Sequence, residues 1–361
     1  MRIAVIAPPW LPVPPPAYGG TETVIDGLVR GFSARGHDVL LCTTGDATAP
    51  VPRHAFYAEA QHARIGNAAC ELAHLVDAYE VARTYDVVHD HTVIGPFYAN
   101  RHPEVPVVTT NHGPFDEEFR LLYRNADRAA VVAISHHHAS TADGVPVRAV
   151  IHHGIDLPTF PEGRGEGAHL AFLGRMTPDK GVCEAIAIAR DAGVPLLIGA
   201  KMREGAERAF FEAHVRPALG GGIEYLGELG PAEKVALLGS ARALLNPIQW
   251  PEPFGLVMVE SLACGTPVLA HPRGAAPEIV DDRVTGFLPS DHESMVARVA
   301  DLDALSRAAC RRAAEERFSV DRMVEQHLSL YADIIAEHPP SSRRNGRPAA
   351  APVTRLGRPA R

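Results

Sequence analysis

Residues 250–267 read WPEPFGLVMVESLACGTP, and they put two carboxylates where a carboxylate is costly unless it binds something. Glu260 follows Leu256, Val257, Met258 and Val259 and precedes Leu262 and Ala263, so a helix through this run is apolar nearly all round and belongs in a core. A buried carboxylate needs a partner. Glu252 stands just ahead of Pro253 and Gly255, residues that suit a loop leading into a helix rather than a helix interior. Were the segment helical throughout, the two acids would lie roughly 12 Å apart along the axis, which suits two grips on one extended ligand.

Between those grips lie the amides of Phe254, Gly255 and Leu256, at the start of the expected helix. Amides there lack intrahelical partners and attract phosphate. An acid, a phosphate cradle and a second acid, in that order, describe a nucleotide-sugar site with one end for sugar hydroxyls and the other for a ribose. The plainer alternative is a core helix with one glutamate reaching solvent and an ordinary loop glutamate. Context elsewhere in the chain has to decide.

Outward from this stretch, strand and helix patterns alternate in both directions. Residues 2–7 (RIAVIA) form a short apolar run typical of a buried first strand. A loop with six prolines between Pro8 and Pro16 follows, then Tyr18, Gly19 and Gly20, then an amphipathic helix over residues 21–34 ended by Gly36. A strand, a Gly-Gly turn and a helix start make a second place where backbone can approach a phosphate, although the GxGxxG fingerprint is missing. Further strands are expected at 39–43, 87–89, 107–111, 129–135 and 147–151, with a helix near 68–84. The pattern implies a parallel sheet covered on both faces. His89, Asp90, His91, Asn111, His112, Gly113, Ser135 and the run His153-Gly154-Ile155-Asp156 fall at strand ends, where open parallel sheets bind ligands.

After a linker-like segment at 158–167 (PTFPEGRGEG), the alternation restarts. Strands are expected at 170–173, 196–199, 223–226, 243–246 and 268–270, helices at 182–191, 208–215 and 232–238, and long helices over 293–336. The organisation is therefore α/β with two Rossmann-like halves, residues 1–157 and 168–320. Residues 339–361 carry six arginines and no acid or lysine, which leaves the rest of the chain at −14 against a total of −8. That balance argues against a nucleic-acid-binding body. The tail reads as disordered and solvated, with weak attraction to anionic lipid as the alternative.

Five scattered cysteines without a CxxC pair support neither a disulfide framework nor a zinc ribbon, and they fit a reducing cytoplasm. No apolar run is long enough for a membrane span. Nineteen histidines invite a metal reading, but no ligand spacing such as HExxH occurs, and His136, His137 and His138 would fan out around a helix. No metal or other cofactor is expected. Asp301-Leu302-Asp303 has the DxD form of metal-dependent transferases but lies far from the cleft motifs.

Arg175 and Lys180, on a loop after the first strand of the second half, add a forked guanidinium and a point-charge ammonium suited to a diphosphate. Gly19-Gly20, Asn111-His112-Gly113, His153-Gly154-Ile155-Asp156, Gly174-Arg175 with Lys180-Gly181, Glu252 to Glu260 and Ala263-Cys264-Gly265-Thr266-Pro267-Val268 follow one another in the order seen in one family. In this respect the chain resembles the retaining glycosyltransferases of family 4. The resemblance covers residues 1 to about 290. It implies a GT-B fold: two facing Rossmann-like domains, an N-terminal acceptor side, a C-terminal donor side, and a crossover helix at 321–338 packing back on the first domain.

By that resemblance Glu252 bonds the transferred sugar and Glu260 the ribose. Arg175 and Lys180 bind the diphosphate with the amides of Gly19, Gly20, Phe254, Gly255 and Leu256, and His112 reaches the sugar from the first domain. His153 departs from the family, which often has Asn there. The implied activity is metal-independent hexosyl transfer from a nucleotide-sugar, UDP-glucose ahead of GDP-mannose, to a small-molecule, glycan or lipid-linked hydroxyl acceptor. Two rivals share the architecture or the ligand: a nucleotide-sugar 2-epimerase and a non-catalytic nucleotide-sugar-binding protein. A Rossmann dehydrogenase is disfavoured by the missing glycine fingerprint.

Overall fold

A computed structural model describes residues 1–338; the expected tail at 339–361 lies outside the described residues. Two all-parallel sheets organise the chain. The first contains β1 (Arg2–Ile6), β2 (Asp38–Thr43), β3 (Arg53–Ala55), β4 (Val87–Asp90), β5 (Val107–Thr110), β6 (Ala129–Ala133) and β7 (Val147–Val150), in the order β3-β2-β1-β4-β5-β6-β7. The second contains β8 (Leu170–Arg175), β9 (Leu196–Lys201), β10 (Ile223–Gly227), β11 (Ala243–Asn246), β12 (Val268–Ala270) and β13 (Gly286–Phe287), in the order β10-β9-β8-β11-β12-β13. Each order reverses beside its first strand, at β1/β4 and at β8/β11, so each sheet opens a crevice at its carboxyl edge there. Ile6 is in register with Asp90 across the first switch point.

Continuous apolar strands are what a sheet covered on both faces requires. Ile3 and Val5 of β1 join the core that holds Val24, Ile25, Leu28 and Phe32 of the Gly20–Ala34 helix, whereas Ala4 and Ile6 face Leu75, Ala78 and Tyr79 of the Ala68–Ala82 helix. Alternate β1 residues thus serve opposite layers, as the two-residue period demands.

The C-terminal region differs from the expected long helices over 293–336. It is broken into helices at His292–Val299, Arg307–Arg317 and Val320–Glu337. Ser306 and Ser319 explain the last two starts, since each side-chain oxygen accepts a backbone N–H of the helix it caps. The expected helix at 208–215 is also corrected: it runs Gly205–Phe210 and then loosens into a wider turn over Phe211–Val215.

The Val320–Glu337 helix returns to the first sheet, where Met323, Val324, Leu330, Tyr331 and Ile334 enter the core beside Phe32. Gly27 and Gly31 permit this packing. A Cβ on Gly31 would lie 2.4 Å from Val324 Cγ2, and one on Gly27 2.9 Å from Val320 Cγ2. The returning chain is also tied to the interdomain segment: Ile155 N–H donates to Phe318 O, and Val320 N–H donates to Ile155 O, both at 2.9 Å. Gly154 is needed there because a Cβ would fall 2.3 Å from Ser319 O.

Candidate active site

The carboxyl edges of the two sheets face one cleft of about 1060 Å³. The Gly20–Ala34 helix and the Leu256–Ala263 helix both begin at this cleft, close enough that a Cβ on Gly20 would lie 3.3 Å from Leu256 Cδ1. Gly255, with φ of 105°, makes the turn that opens the second of these helices and leaves its first amides at the cleft wall. The two halves are joined nearby by Ser135, whose hydroxyl donates to Pro253 O at 2.7 Å. Glu278 of the second half accepts the backbone N–H groups of His136 and His137 at 2.8 and 2.6 Å and also engages His152. Despite partial burial, these bonds hold its carboxyl down at about 2.

The sequence-derived site residues Gly19, Gly20, His112, Arg175, Lys180, Glu252, Phe254, Gly255, Leu256 and Glu260 all line this cleft. Lys180, 9% exposed, bonds the Glu252 carboxylate and lies over the Trp250 ring. Arg175, at the end of β8, makes only a loose 3.5 Å contact with Asp179, which leaves its guanidinium the least committed of these cations. Glu260, 5% exposed, is paired with Lys234 Nζ at 2.5 Å. The partner that a buried carboxylate needs is therefore a side chain of the protein itself. Lys234 lies on the Pro231–Ser240 helix, remote in sequence, and no local pattern marked it.

His112 is half-buried and stacks on His153 at 5.1 Å; its Nε2 is 2.9 Å from His91 Nδ1. Burial, followed by the neighbouring His138 and His327, pushes its pKa down to about 3, so it is a neutral hydrogen-bonding group at physiological pH. His153 packs edge-on against Phe254 at 5.2 Å, so the residue that departs from the family pattern joins the first half of the cleft to the second. Tyr18, 37% exposed, reaches across as well: its backbone N–H donates to Glu228 at 3.2 Å.

Sequence reasoning missed Lys234, Lys201, Arg203, Glu228, Asn246 and Glu22, all of which line the cleft. Asn246 had a readable signal, since it ends β11 beside the second switch point; its Nδ2 is buried without a partner among the described residues. Asp301 and Asp303 pair instead with Arg298 and Arg242. Among the described residues, no group of three or more His, Cys, Asp or Glu side chains is arranged to hold a metal ion, and no helix is long and apolar enough to cross a membrane.

Residues 18–158 match the family model described as Glycosyltransferase Family 4, and residues 161–317 match that of Glycosyl transferases group 1. The chain belongs to glycosyltransferase family 4. Its curated relatives include the D-inositol 3-phosphate glycosyltransferase of Mycolicibacterium smegmatis, 32% identical over 272 residues, which are 68% of this chain and 61% of that protein. The Mycobacterium tuberculosis protein of the same name is 32% identical over 286 residues, 71% of this chain and 58% of its own length. The match thus spans less than two thirds of these relatives.

Solved structures show the same GT-B fold for this family 4 chain. AviGT4, a glycosyltransferase involved in avilamycin A biosynthesis, superimposes with a TM-score of 0.71 at 24% identity over 93% of this chain and 98% of its own. Anabaena HepE, solved with UDP and glucose, gives a TM-score of 0.74 at 19% identity over 92% and 99%.

Proposed function

We propose that this protein transfers a hexose from a nucleoside-diphosphate sugar to a hydroxyl acceptor, with retention of anomeric configuration and without a metal ion. The observation that carries the reading is the meeting of Arg175, Lys180 and the opening amides of the Leu256–Ala263 helix at one wall of the cleft, with Glu252 and Glu260 on either side of those amides. A nucleoside diphosphate is already a good leaving group, so its departure calls for stabilisation of growing negative charge more than for a strong acid.

In this reading Arg175 and Lys180 face the diphosphate together with the helix amides. Glu252 orients Lys180 and bonds the sugar, and Glu260, braced by Lys234, bonds the ribose. His112, being neutral, hydrogen-bonds the sugar without adding charge. UDP-glucose is the favoured donor and GDP-mannose the next. HepE, solved with UDP-glucose, supports that preference only by its shared fold. A cytoplasmic setting agrees with the five free cysteines.

The test is to incubate the protein with UDP-glucose, GDP-mannose and related donors, with and without a cell-extract acceptor pool, and to follow nucleotide release. Acceptor-dependent release of UDP or GDP is expected, with a product whose anomeric proton coupling matches that of the donor. Release of free nucleotide and free 2-epimerised sugar, independent of acceptor, would instead identify an epimerase, and binding without any release would leave a non-catalytic binding protein.

A further inference from the structure

The cleft is lined by five carboxylates: Glu22, Glu204, Glu228, Glu252 and Glu260. Four are matched to cations of the second half. Glu204 pairs with Lys201 at 2.9 Å, Glu228 with Arg203 at 2.6 Å, Glu260 with Lys234 at 2.5 Å, and Glu252 with Lys180. Among the described residues Glu22 is the one cleft carboxylate with no salt bridge and no side-chain partner; only its own backbone N–H approaches it. It is 5% exposed and stands in the first turn of the Gly20–Ala34 helix, packed over Gly19. A carboxylate kept dry and unmatched costs stability, and the vacant partner role faces the cleft.

The wall around Glu22 has a charge pattern of its own. Among the described residues, the Arg and Lys side chains lining the cleft, Arg175, Lys180, Lys201, Arg203 and Lys234, come from the second half. From the first half come Glu22, the histidines His62, His112 and His153, and small or apolar residues such as Leu11, Ile65 and Pro114. Arg64, between the rim residues Ala63 and Ile65, is turned onto the Tyr57 ring at 5.8 Å and bonds Gln61. Among the described residues, a phosphorylated molecule seated against this wall would meet a carboxylate and no Arg or Lys, and like charges in a partly desolvated cleft repel strongly.

We propose that Glu22 is the specificity-determining residue of the acceptor side, accepting hydrogen bonds from a non-anionic, hydroxyl- or amine-bearing acceptor and excluding phosphorylated ones. The inference rests on the glycosyl-transfer reading above and adds to it the class of acceptor. Burial alone pushes Glu22 up to about 7, so near neutral pH the carboxyl passes between an uncharged form and a strong acceptor of hydrogen bonds.

The experiment uses the full chain saturated with UDP and titrated by calorimetry or NMR with glucosamine, glucose and glucose 6-phosphate, at low salt and about pH 8, where Glu22 is ionised. Glucosamine and glucose should bind roughly tenfold or more tightly than glucose 6-phosphate. Glu22→Gln should shrink the glucosamine preference about fivefold or more, wild type and variant each being compared at its own UDP saturation. Glucose 6-phosphate binding as well as the others, or equal preferences in wild type and variant, overturns the assignment. Should Glu22→Gln fail to fold, the wild-type ranking still decides. The UDP titration separates the two layers: no UDP binding by wild type sinks the glycosyl-transfer reading, whereas UDP binding without discrimination sinks only the role of Glu22.

Discussion

Lys234 Nζ lies 2.5 Å from Glu260 Oε1, so the buried acid of the central helix is neutralised by a lysine from the Pro231–Ser240 helix. Removing either partner leaves the other in a partly dry site. Glu260→Ala should therefore not raise the melting temperature, contrary to what an unpaired buried acid would predict. It should weaken UDP binding by about 1.5 to 3 kcal/mol through loss of a charged hydrogen bond. Lys234→Met should destabilise the fold by roughly 1 to 3 kcal/mol, below the range for fully buried pairs because Lys234 is partly exposed. Denaturant melts and titration calorimetry on both variants check this, and unchanged UDP affinity in Glu260→Ala would remove the ribose assignment.

Lys180 and Arg175 test mechanism rather than binding. Cations aimed at a leaving diphosphate act more strongly as its charge grows, so Lys180→Met should lower kcat about 100-fold or more with a smaller change in donor affinity. Arg175→Lys should also lose much of kcat, because an ammonium lacks the two-pronged guanidinium contact. Steady-state kinetics decide. A rise in donor KM at wild-type kcat would make both residues uniform binders.

Turnover should persist in excess EDTA, because the cations proposed to face the diphosphate, Arg175 and Lys180, are side chains. Loss of activity that manganese or magnesium restores would contradict this arrangement.

Glu22 should impose a pH dependence on stability. Its carboxyl titrates at about 7 in the fold against 4.5 for the free group, so the folded state binds the proton more tightly. Its contribution is complete below about pH 4.5 and is lost as pH rises through about 7, a difference on the order of 3 kcal/mol. Glu22→Gln should therefore raise the melting temperature at pH 8 and change it little at pH 4. Equal shifts at both pH values would contradict the burial-driven titration.

Gly31 lets the crossover helix approach. Gly31→Ala sets a Cβ 2.4 Å from Val324 Cγ2 and should cost about 1 to 3 kcal/mol by overpacking. In urea melts the Gly31→Ala, Val324→Ala double variant should be more stable than the sum of the single losses implies, since the two side chains compete for one space. Strict additivity would show that the helices separate without strain.

The sequence by itself determined the two parallel sheets, because the apolar strands and the amphipathic helices between them are local patterns set by the pleat and by the helical turn. Gly36 and the bounds of β11 and β12 were legible for the same reason. So was the place of Glu252, Glu260, Arg175 and Lys180 on the cleft wall, through a short-range conflict between charge and apolar surroundings or through motif order. The pairing of those charges was not legible. Lys234 meets Glu260 across 26 positions and Lys180 meets Glu252 across 72. Glu22 looked like any polar residue in the first turn of an amphipathic helix; only the fold shows it buried over Gly19 in a cleft whose Arg and Lys side chains, among the described residues, come from the second half. Local patterns report the energy of one element in an average environment. Which charge is neutralised and which is left dry depends on the elements packed around it, so tertiary structure alone decided it.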